Sequence, residues 1–323
     1  MYERQIALIG KKNQKTLLNK TVTIIGLGSL GSNAANLLAR SGVNLKLIDF
    51  DEIDETNLLS QSLYDFSDIG KKKAKISALK LMKINPLVKI KYYDALIDDS
   101  NLSLLDSDLV LDCTDNMATR LLINEYCYKN KIPLVHSAVI GYKGVIFNVI
   151  SSPCLSCIYK SFSDSEKCED FGVLNTSVSL ISSLAVNEII KILLKKDHET
   201  SLLRINLESN TLQKIKVKQD KNCSCCGIGK SINYKQFKVC NNKKVSTITP
   251  IKNIKLDFKK LKFNVINRTD NSITIKEDNI QLIIYSNGKI LANTSFNKIR
   301  DLISLIYENG KSIPRKRKKK SRS

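Results

Sequence analysis

A glycine-rich turn limits what this chain can fold into more than any other segment. Gly26, Gly28 and Gly31 form G-x-G-x-x-G within GLGSLG. Thr21–Ile25, ahead of the turn, is β-branched and apolar, the composition of a buried strand. Behind it, Leu30, Ala34, Leu37 and Leu38 fall on one helical face until Gly42, and Val43–Ile48 reads as a second strand. In such a unit the glycines let the backbone approach a phosphate, and the helix N-terminus meets it with unpaired N–H groups. Asp49 ends the second strand, 21 residues after Gly28, where a carboxylate can bind ribose hydroxyls. The pattern predicts a nucleotide-binding fold and is shared by NAD, FAD and ATP sites.

The alternation continues. Helices are expected over Lys71–Ile84 and Thr119–Tyr128, and strands over Val88–Tyr93, Leu109–Cys113, Leu134–Ala138 and Val145–Ile150. This predicts an α/β fold, a doubly wound, Rossmann-like, mainly parallel sheet. Residues 1–150 form the nucleotide-binding region. Residues 151–230 complete that domain with a polar crossover loop, a long apolar helix over about Thr176–Lys195, strands at Leu202–Leu207 and Leu212–Val217, and a cysteine cluster. Residues 231–313 read as a small basic α+β module. Its expected strands are Phe263–Ile266, Ser272–Ile275, Ile280–Tyr285 and Ile290–Ala292, with an Asn287-Gly288 hairpin turn and a closing helix through Phe296 and Ile306. Residues 314–323 read as a disordered basic tail. The net charge of +21 is uneven: +5 over residues 1–230, +9 over 231–313 and +7 in the last ten. A near-neutral body argues against nucleic acid wrapped along the whole surface.

A second constellation separates the nucleotide classes. LIDFDEIDETNLLSQ places Asp49, Asp51, Asn57 and Gln61 after the second strand, and Lys73 follows a glycine turn. LDCTDN places Asp112, Asp115 and Asn116 at the C-terminal end of a later strand, the edge where open α/β sheets bind ligands. Hydride transfer has no use for that extra carboxylate and lysine. Adenylyl transfer does, to hold Mg²⁺ and to neutralise a triphosphate. Lys73 taken alone, flanked by Lys71 and Lys72, reads as a solvated lysine at a helix start.

With YERQI at 2–6, GLGSLG, DFDEIDETNL at 49–58, the Gly70–Lys73 turn, KINP at 83–86, DCTDN, PCLSC at 153–157 and CSCCG at 223–227, the chain resembles the MoeB/ThiF family of ubiquitin-activating-type adenylyltransferases. The resemblance covers residues 2–227 in the family's order. It implies binding of ATP and Mg²⁺, and transfer of AMP to the C-terminal Gly-Gly of a ubiquitin-like sulfur carrier protein, for thiamin, molybdopterin or tRNA thiolation. It implies that Asp115 holds Mg²⁺, Asp49 the ribose, and Lys73 and Asn57 the ATP. Arg4 would reach the phosphates of a neighbouring subunit in a homodimer, and Gln61, Asn116 and Arg120 fall at motif positions. A sulfurtransferase or cysteine desulfurase is a further implied partner. The chain departs from the family at Ser60, where an arginine facing the ATP phosphates is usual. Lys71 or Lys72 is the expected substitute for that charge.

Nine cysteines, an odd number, and an N-terminus without an apolar leader favour metal or thiol chemistry in the cytoplasm over a disulfide framework. Cys154-x-x-Cys157 and Cys223-x-x-Cys226 together make a tetrahedral zinc set, with Cys225 as an alternative to Cys223. Cys168, in SDSEKCEDFG, has two equal readings. The family uses a cysteine in this loop to attack the activated carrier, but Glu166, Glu169 and Asp170 disfavour a thiolate and suit a bland exposed thiol. Cys113, Cys127 and Cys240 read as core residues, as does His136. The apolar stretch Val173–Leu194 is interrupted by Asn175, Asn187, Glu188 and Lys191, which suits a buried or interface helix and not a membrane span. Its apolar surface exceeds what one face needs, which suggests packing against a symmetry mate. Two rival readings remain at this stage. An NAD- or FAD-dependent oxidoreductase accounts for the turn and Asp49 but not for Asp115, Lys73 or the cysteine pairs. A catalytically degenerate binding scaffold accounts for Ser60.

Overall fold

A computed structural model describes residues 1–98, 100–159, 172–223, 225–227, 237–242, 245–250, 256–258, 261, 263–269, 272–277, 280–286, 290–292 and 306. The chain divides into two compact units, Met1–Ser231 and Ile232–Ser323.

The first unit is built on eight strands: β1 (Thr21–Ile25), β2 (Asn44–Ile48), β3 (Ile90–Tyr93), β4 (Leu109–Asp112), β5 (Leu134–Ile140), β6 (Lys143–Val149), β7 (Leu202–Asn206) and β8 (Thr211–Ile215). Their order in the sheet is β3-β2-β1-β4-β5-β6-β7-β8. The first five are parallel, as helical crossovers require. The last three run antiparallel, joined by tight connections at β5–β6 and β7–β8. β8 is an edge strand exposed along its whole length.

Alternate side chains of the parallel strands feed two cores, since successive residues of a strand face opposite sides. Val22, Ile24, Leu109, Leu111 and Val135 pack under α3 (Ser29–Arg40), α4 (Lys73–Ile84) and α7 (Asn175–Leu193). Ile25, Val110 and Leu134 pack on the other side with α5 (Met117–Lys129) and the short α6 (Leu155–Ile158). Two helices were not foreseen, α1 (Glu3–Ile9) and α2 (Lys11–Leu18). Their polar composition hides the pattern: Gln14 and Leu17 are the two buried side chains of α2.

α7 bears out the buried reading of its stretch but not the expected surplus of apolar surface. By length and composition it could cross a membrane, but half of it is buried in the protein. It packs on α3, where the Ser182 hydroxyl donates to the Leu30 carbonyl at 3.1 Å, and against β5 and β6. Its exposed positions include Thr176, Ser179, Ser183 and Asn187, so the expected surplus of apolar surface reduces to Leu180 and flanking Leu174. The long apolar run is a core helix.

The second unit is a six-stranded antiparallel sheet, with β9 (Phe237–Asn242), β10 (Val245–Pro250), β11 (Val265–Arg268), β12 (Ser272–Glu277), β13 (Ile280–Tyr285) and β14 (Ile290–Ala292) in the order β11-β12-β13-β14-β10-β9. Ile273, Ile275, Leu282, Ile284 and Ile290 alternate onto one face and bury a small core with Ile306. β9 and β10 were not foreseen, because KVCNNKKVSTIT lacks sustained apolar alternation. The hairpin turn at Asn287-Gly288, Phe296 of the closing helix and the tail 314–323 lie outside the described residues.

The glycine turn sets the first stability prediction. A Cβ on Gly31 would stand 1.8 Å from the Gly26 carbonyl oxygen, which no side-chain adjustment relieves. Gly31→Ala is therefore expected to destabilise by about 3 kcal/mol or more, read as a lowered urea midpoint. A midpoint within error of the wild type refutes this account of the turn.

Candidate active site

The C-terminal edge of β1, β2 and β4 opens into a cavity of about 410 Å³, lined by the glycine turn, Asp49, Asn57, Gln61, Lys73, Asp115, Asn116 and Arg120. Nearly every nucleotide-site residue named from the sequence thus meets in one place. The turn is held at Leu27 from both sides. Its N–H donates to Asp49 Oδ2 at 2.5 Å, and its carbonyl accepts from the Tyr64 hydroxyl at 2.9 Å. Burial raises the Asp49 pKa, opposed by the N–H groups of Leu27 and Asp51 and by the Lys73 charge.

Gly28 has a different requirement from Gly31. A Cβ there would stand 4.0 Å from the nearest protein atom, Gln61 Nε2. Nothing in the chain needs glycine at that position. The space it leaves is a cradle at the N-terminus of α3, the place for a phosphate. Gln61 supports the same reading: it is 6 % exposed and its Oε1 has no hydrogen-bond partner. A buried, unpaired amide oxygen is costly unless a ligand completes it.

Two cations enter the cavity. Lys73 opens α4 but is 6 % exposed, with Nζ 3.3 Å from Asp51 Oδ2. The solvated reading of this lysine is therefore wrong. The β-bridge between Glu52 and Lys72 folds the helix start over the second strand's loop and turns Lys73 inward. Arg120 is 9 % exposed and donates from Nε and Nη2 to the Thr114 carbonyl at 3.0 and 2.5 Å. Asp115, by contrast, is exposed at the cavity wall, and its carboxylate makes no hydrogen bond or ion pair among the described residues. Asn116 caps α5 by accepting from the Thr119 N–H at 2.8 Å, which fixes the loop beside it.

The expected substitutes for the missing arginine do not serve. Lys71 faces Asp68 at 3.8 Å, and Lys72 faces Glu52 at 3.4 Å and Asp94 at 3.7 Å. Neither lines the cavity. The Ser60 hydroxyl lies 2.6 Å from that of Ser29, in the first turn of α3. Cys113 packs against the core as expected but also lines the cavity, and burial pushes its thiol up to about 12, which keeps it un-ionised.

Sequence reasoning missed a buried polar chain behind the site. The parallel register of β4 and β5 sets Asp112 beside His136, and His136 Nδ1 lies 2.8 Å from Asp112 Oδ2. His136 Nε2 lies 2.8 Å from the Tyr159 hydroxyl. Burial disfavours the Asp112 charge, but the His136 contact, the Arg120 charge and the Thr114 hydroxyl outweigh it and hold the carboxyl below its usual range. Burial pushes the His136 imidazole down, against the pull of Asp112.

Arg4 is not brought to the cavity. Arg4 is exposed on α1, which is tied to the far end of α3 by Gln5 Nε2 donating to the Ser41 carbonyl at 2.9 Å. Twelve helical residues separate that end from the turn, about 18 Å at 1.5 Å per residue. Cys168 lies outside the described residues.

On the opposite side of the sheet, the Sγ atoms of Cys154, Cys157, Cys223 and Cys226 lie within 4.8 Å of one another. Cys154–Cys223 is 3.7 Å and Cys157–Cys226 is 3.3 Å. A tetrahedral zinc with Zn–S of about 2.3 Å sets sulfur–sulfur edges of about 3.8 Å, so the four thiols fit that ion. Cys225, which meets Asn124 Nδ2 at 3.3 Å, is not among these four, so the cluster favours Cys223.

Comparison with known proteins agrees with this arrangement. The family model described as ThiF family matches residues 2–226. Molybdopterin-synthase adenylyltransferase of Escherichia coli K12 is 36% identical over 237 residues, covering 70% of this chain and 95% of that protein. Adenylyltransferase and sulfurtransferase MOCS3 of Culex quinquefasciatus is 33% identical over 253 residues, 73% of this chain and 58% of that protein. Among solved structures, Escherichia coli MccB superposes with a TM-score of 0.63 at 22% identity, over 70% of this chain and 74% of that one, a likeness of fold. With its adenylyltransferase relatives, its glycine cradle and the cavity residues in family order, this chain belongs to the ThiF family.

Proposed function

We propose that this adenylyltransferase uses ATP to activate the C-terminal Gly-Gly carboxylate of a ubiquitin-like sulfur carrier, for thiamin, molybdopterin or tRNA thiolation. The observation that carries the reading is the convergence on one cavity of an open Gly28 cradle, two inward cations and the unpaired Asp115 carboxylate. The carrier's carboxylate oxygen bonds to the α-phosphorus of ATP. The bond to the bridging oxygen breaks, and its electron pair leaves with pyrophosphate. Gly28 and the α3 N-terminus receive phosphate, Asp49 the ribose, and Asn57, Gln61 and Asn116 line the nucleotide's path. Lys73 and Arg120 offset the charge that grows on pyrophosphate. Asp115 is the residue to hold Mg²⁺, which neutralises triphosphate charge when bound. The four cysteines are the zinc ligands, in a closed structural site. Cys113, Cys127 and Cys225, free thiols outside the zinc set, support a reducing compartment, the cytoplasm. A sulfurtransferase or cysteine desulfurase is proposed as a further partner, supported by a relative whose name joins adenylyl transfer to sulfur transfer. Cys168 is proposed as the thiol that meets the activated carrier.

The test is ATP–pyrophosphate exchange, expected only with a carrier ending in Gly-Gly and absent with the last glycine removed. Exchange indifferent to that tail rejects the substrate. Arg4 stands on α1, beside the end of α3 remote from the turn, which supports its serving a second copy's site. Mixing Arg4→Ala with Asp115→Ala chains is therefore expected to restore part of the exchange that each lacks. A monomer by light scattering, or mixtures as inactive as the parents, ends the homodimer proposal.

Ser60 gives a further prediction. An arginine there would stand beside Ser29 at the phosphate end of α3, where neither Lys71 nor Lys72 supplies its charge. One charge-assisted contact contributes about 1.5–3 kcal/mol, so Ser60→Arg is expected to tighten apparent ATP affinity roughly ten- to a hundredfold. The ATP dependence of exchange checks it. An unchanged midpoint removes Ser60 from the account.

A further inference from the structure

We propose that His136 is a positioning residue of the adenylation site, coupling the cysteine-bearing helix α6 to the loop that carries Asp115. The inference rests on the adenylyl-transfer reading above. Asp112 is fully buried, and both of its oxygens are engaged. Oδ1 accepts from the Thr114 N–H at 2.9 Å and from its hydroxyl at 2.7 Å. Oδ2 faces His136 Nδ1. A carboxylate can only accept, so Nδ1 carries the hydrogen. In a neutral imidazole Nε2 then accepts, and the Tyr159 hydroxyl donates to it. Tyr159 caps the C-terminus of α6, two residues after Cys157, and stands edge-on to the imidazole at 5.6 Å between centroids.

The chain of bonds therefore runs from the cysteine helix through His136 and Asp112 to Thr114. Thr114 is the point of control. Its N–H and hydroxyl are held by Asp112, its carbonyl holds Arg120, and the next residue is Asp115. Asn124 adds a second tie between α5 and the cysteine region, accepting from the Leu155 N–H at 2.9 Å. Without His136, Asp112 loses one of its two anchors, and the loop presenting Asp115 and Arg120 loses its fixed register. The glycine cradle and Asp49 stand on other elements and keep their geometry. The effect should therefore fall on turnover and spare ATP binding.

The test is steady-state pyrophosphate exchange on the full chain with carrier, together with thermal melts. His136→Leu keeps an apolar side chain in the space but removes both hydrogen bonds. It is expected to lower kcat by about tenfold or more, because small misplacements of reacting groups are costly, while KM for ATP stays within about threefold. His136→Asn, whose amide can donate from the Nδ1 position, should recover most of the loss. Tyr159→Phe removes one oxygen and should lower kcat a few-fold, a readout that survives if the leucine variant does not fold. Unchanged kcat in Tyr159→Phe and His136→Leu overturns the proposal. So does a loss that asparagine fails to recover, or one that appears equally in KM. Wild-type protein with no carrier-dependent exchange overturns the functional reading and this inference together, whereas active wild type with indifferent variants overturns this inference alone.

Discussion

Asp115→Ala is expected to reduce ATP–pyrophosphate exchange by about a hundredfold to a thousandfold, the range for removing one electrostatic stabiliser of the transition state. Its melting temperature should stay close to wild type. The two halves follow from one observation: the side chain is exposed at the cavity wall and makes no hydrogen bond or ion pair among the described residues, so no contact there is lost by truncation. A free carboxylate facing a triphosphate repels it unless a cation lies between them, so its presence beside Lys73 and Arg120 points to a metal-holding role. Asp115→Asn should recover little, because an amide oxygen is a much weaker magnesium ligand than a carboxylate. Near-normal exchange in the alanine variant would remove Asp115 from the mechanism. A large drop in melting temperature would show instead that the loop depends on it structurally.

The second large effect concerns the four cysteines. Protein purified without chelator should contain one zinc per chain by elemental analysis. Stripping it, or replacing Cys154 by serine, should lower the melting temperature by about 10 °C or more. Structural zinc contributes of order 10 kcal/mol in small domains, and even a fraction of that shifts the midpoint of a domain this size by many degrees. Cys154 and Cys223 are fully buried and Cys226 nearly so, so the stripped site leaves four thiols crowded together in an apolar wall. Metal-free protein that melts like the wild type would assign these cysteines a thiol role.

Much of the site was legible in the sequence because its parts are local. GLGSLG, Asp49 and the loop through Gln61 occupy 36 consecutive residues, and strand–turn–helix geometry brings them together without long-range packing. The pairing of Cys154–Cys157 with Cys223–Cys226 was legible from two C-x-x-C pairs taken together with the resemblance of Pro153 and Gly227 to the family's knuckles, since spacing alone is a weak signal across so long a gap. Direction was not legible. Lys71, Lys72 and Lys73 are adjacent in sequence, yet Lys73 alone enters the cavity, because the helix starts there and its first turn rotates successive side chains by about 100°. The His136 chain was hidden for another reason. Asp112, His136 and Tyr159 are separated by more than twenty residues at each step, and only the parallel register of β4 and β5 makes the first two neighbours. The surplus apolar face assigned to the long helix was an error of counting. A helix under a sheet and beside another helix buries more than one stripe.

The fully exposed strand β8 has a consequence for the behaviour of the protein in solution. Among the described residues no strand pairs with its outer margin, and such a row of N–H and C=O groups is the template on which chains add to one another. From Thr211 onward the run reads TLQKIKVK, with lysines at 214, 216 and 218. Lys214 is paired with Glu199 at 2.8 Å, so Lys216 and Lys218, just past the strand, are the charges that a copy aligned on this margin would bring near their like. Within a screening length of about 10 Å at 0.1 M salt, that repulsion opposes stacking, and it weakens as salt is added. Shelf life at high concentration should therefore shorten as ionic strength rises.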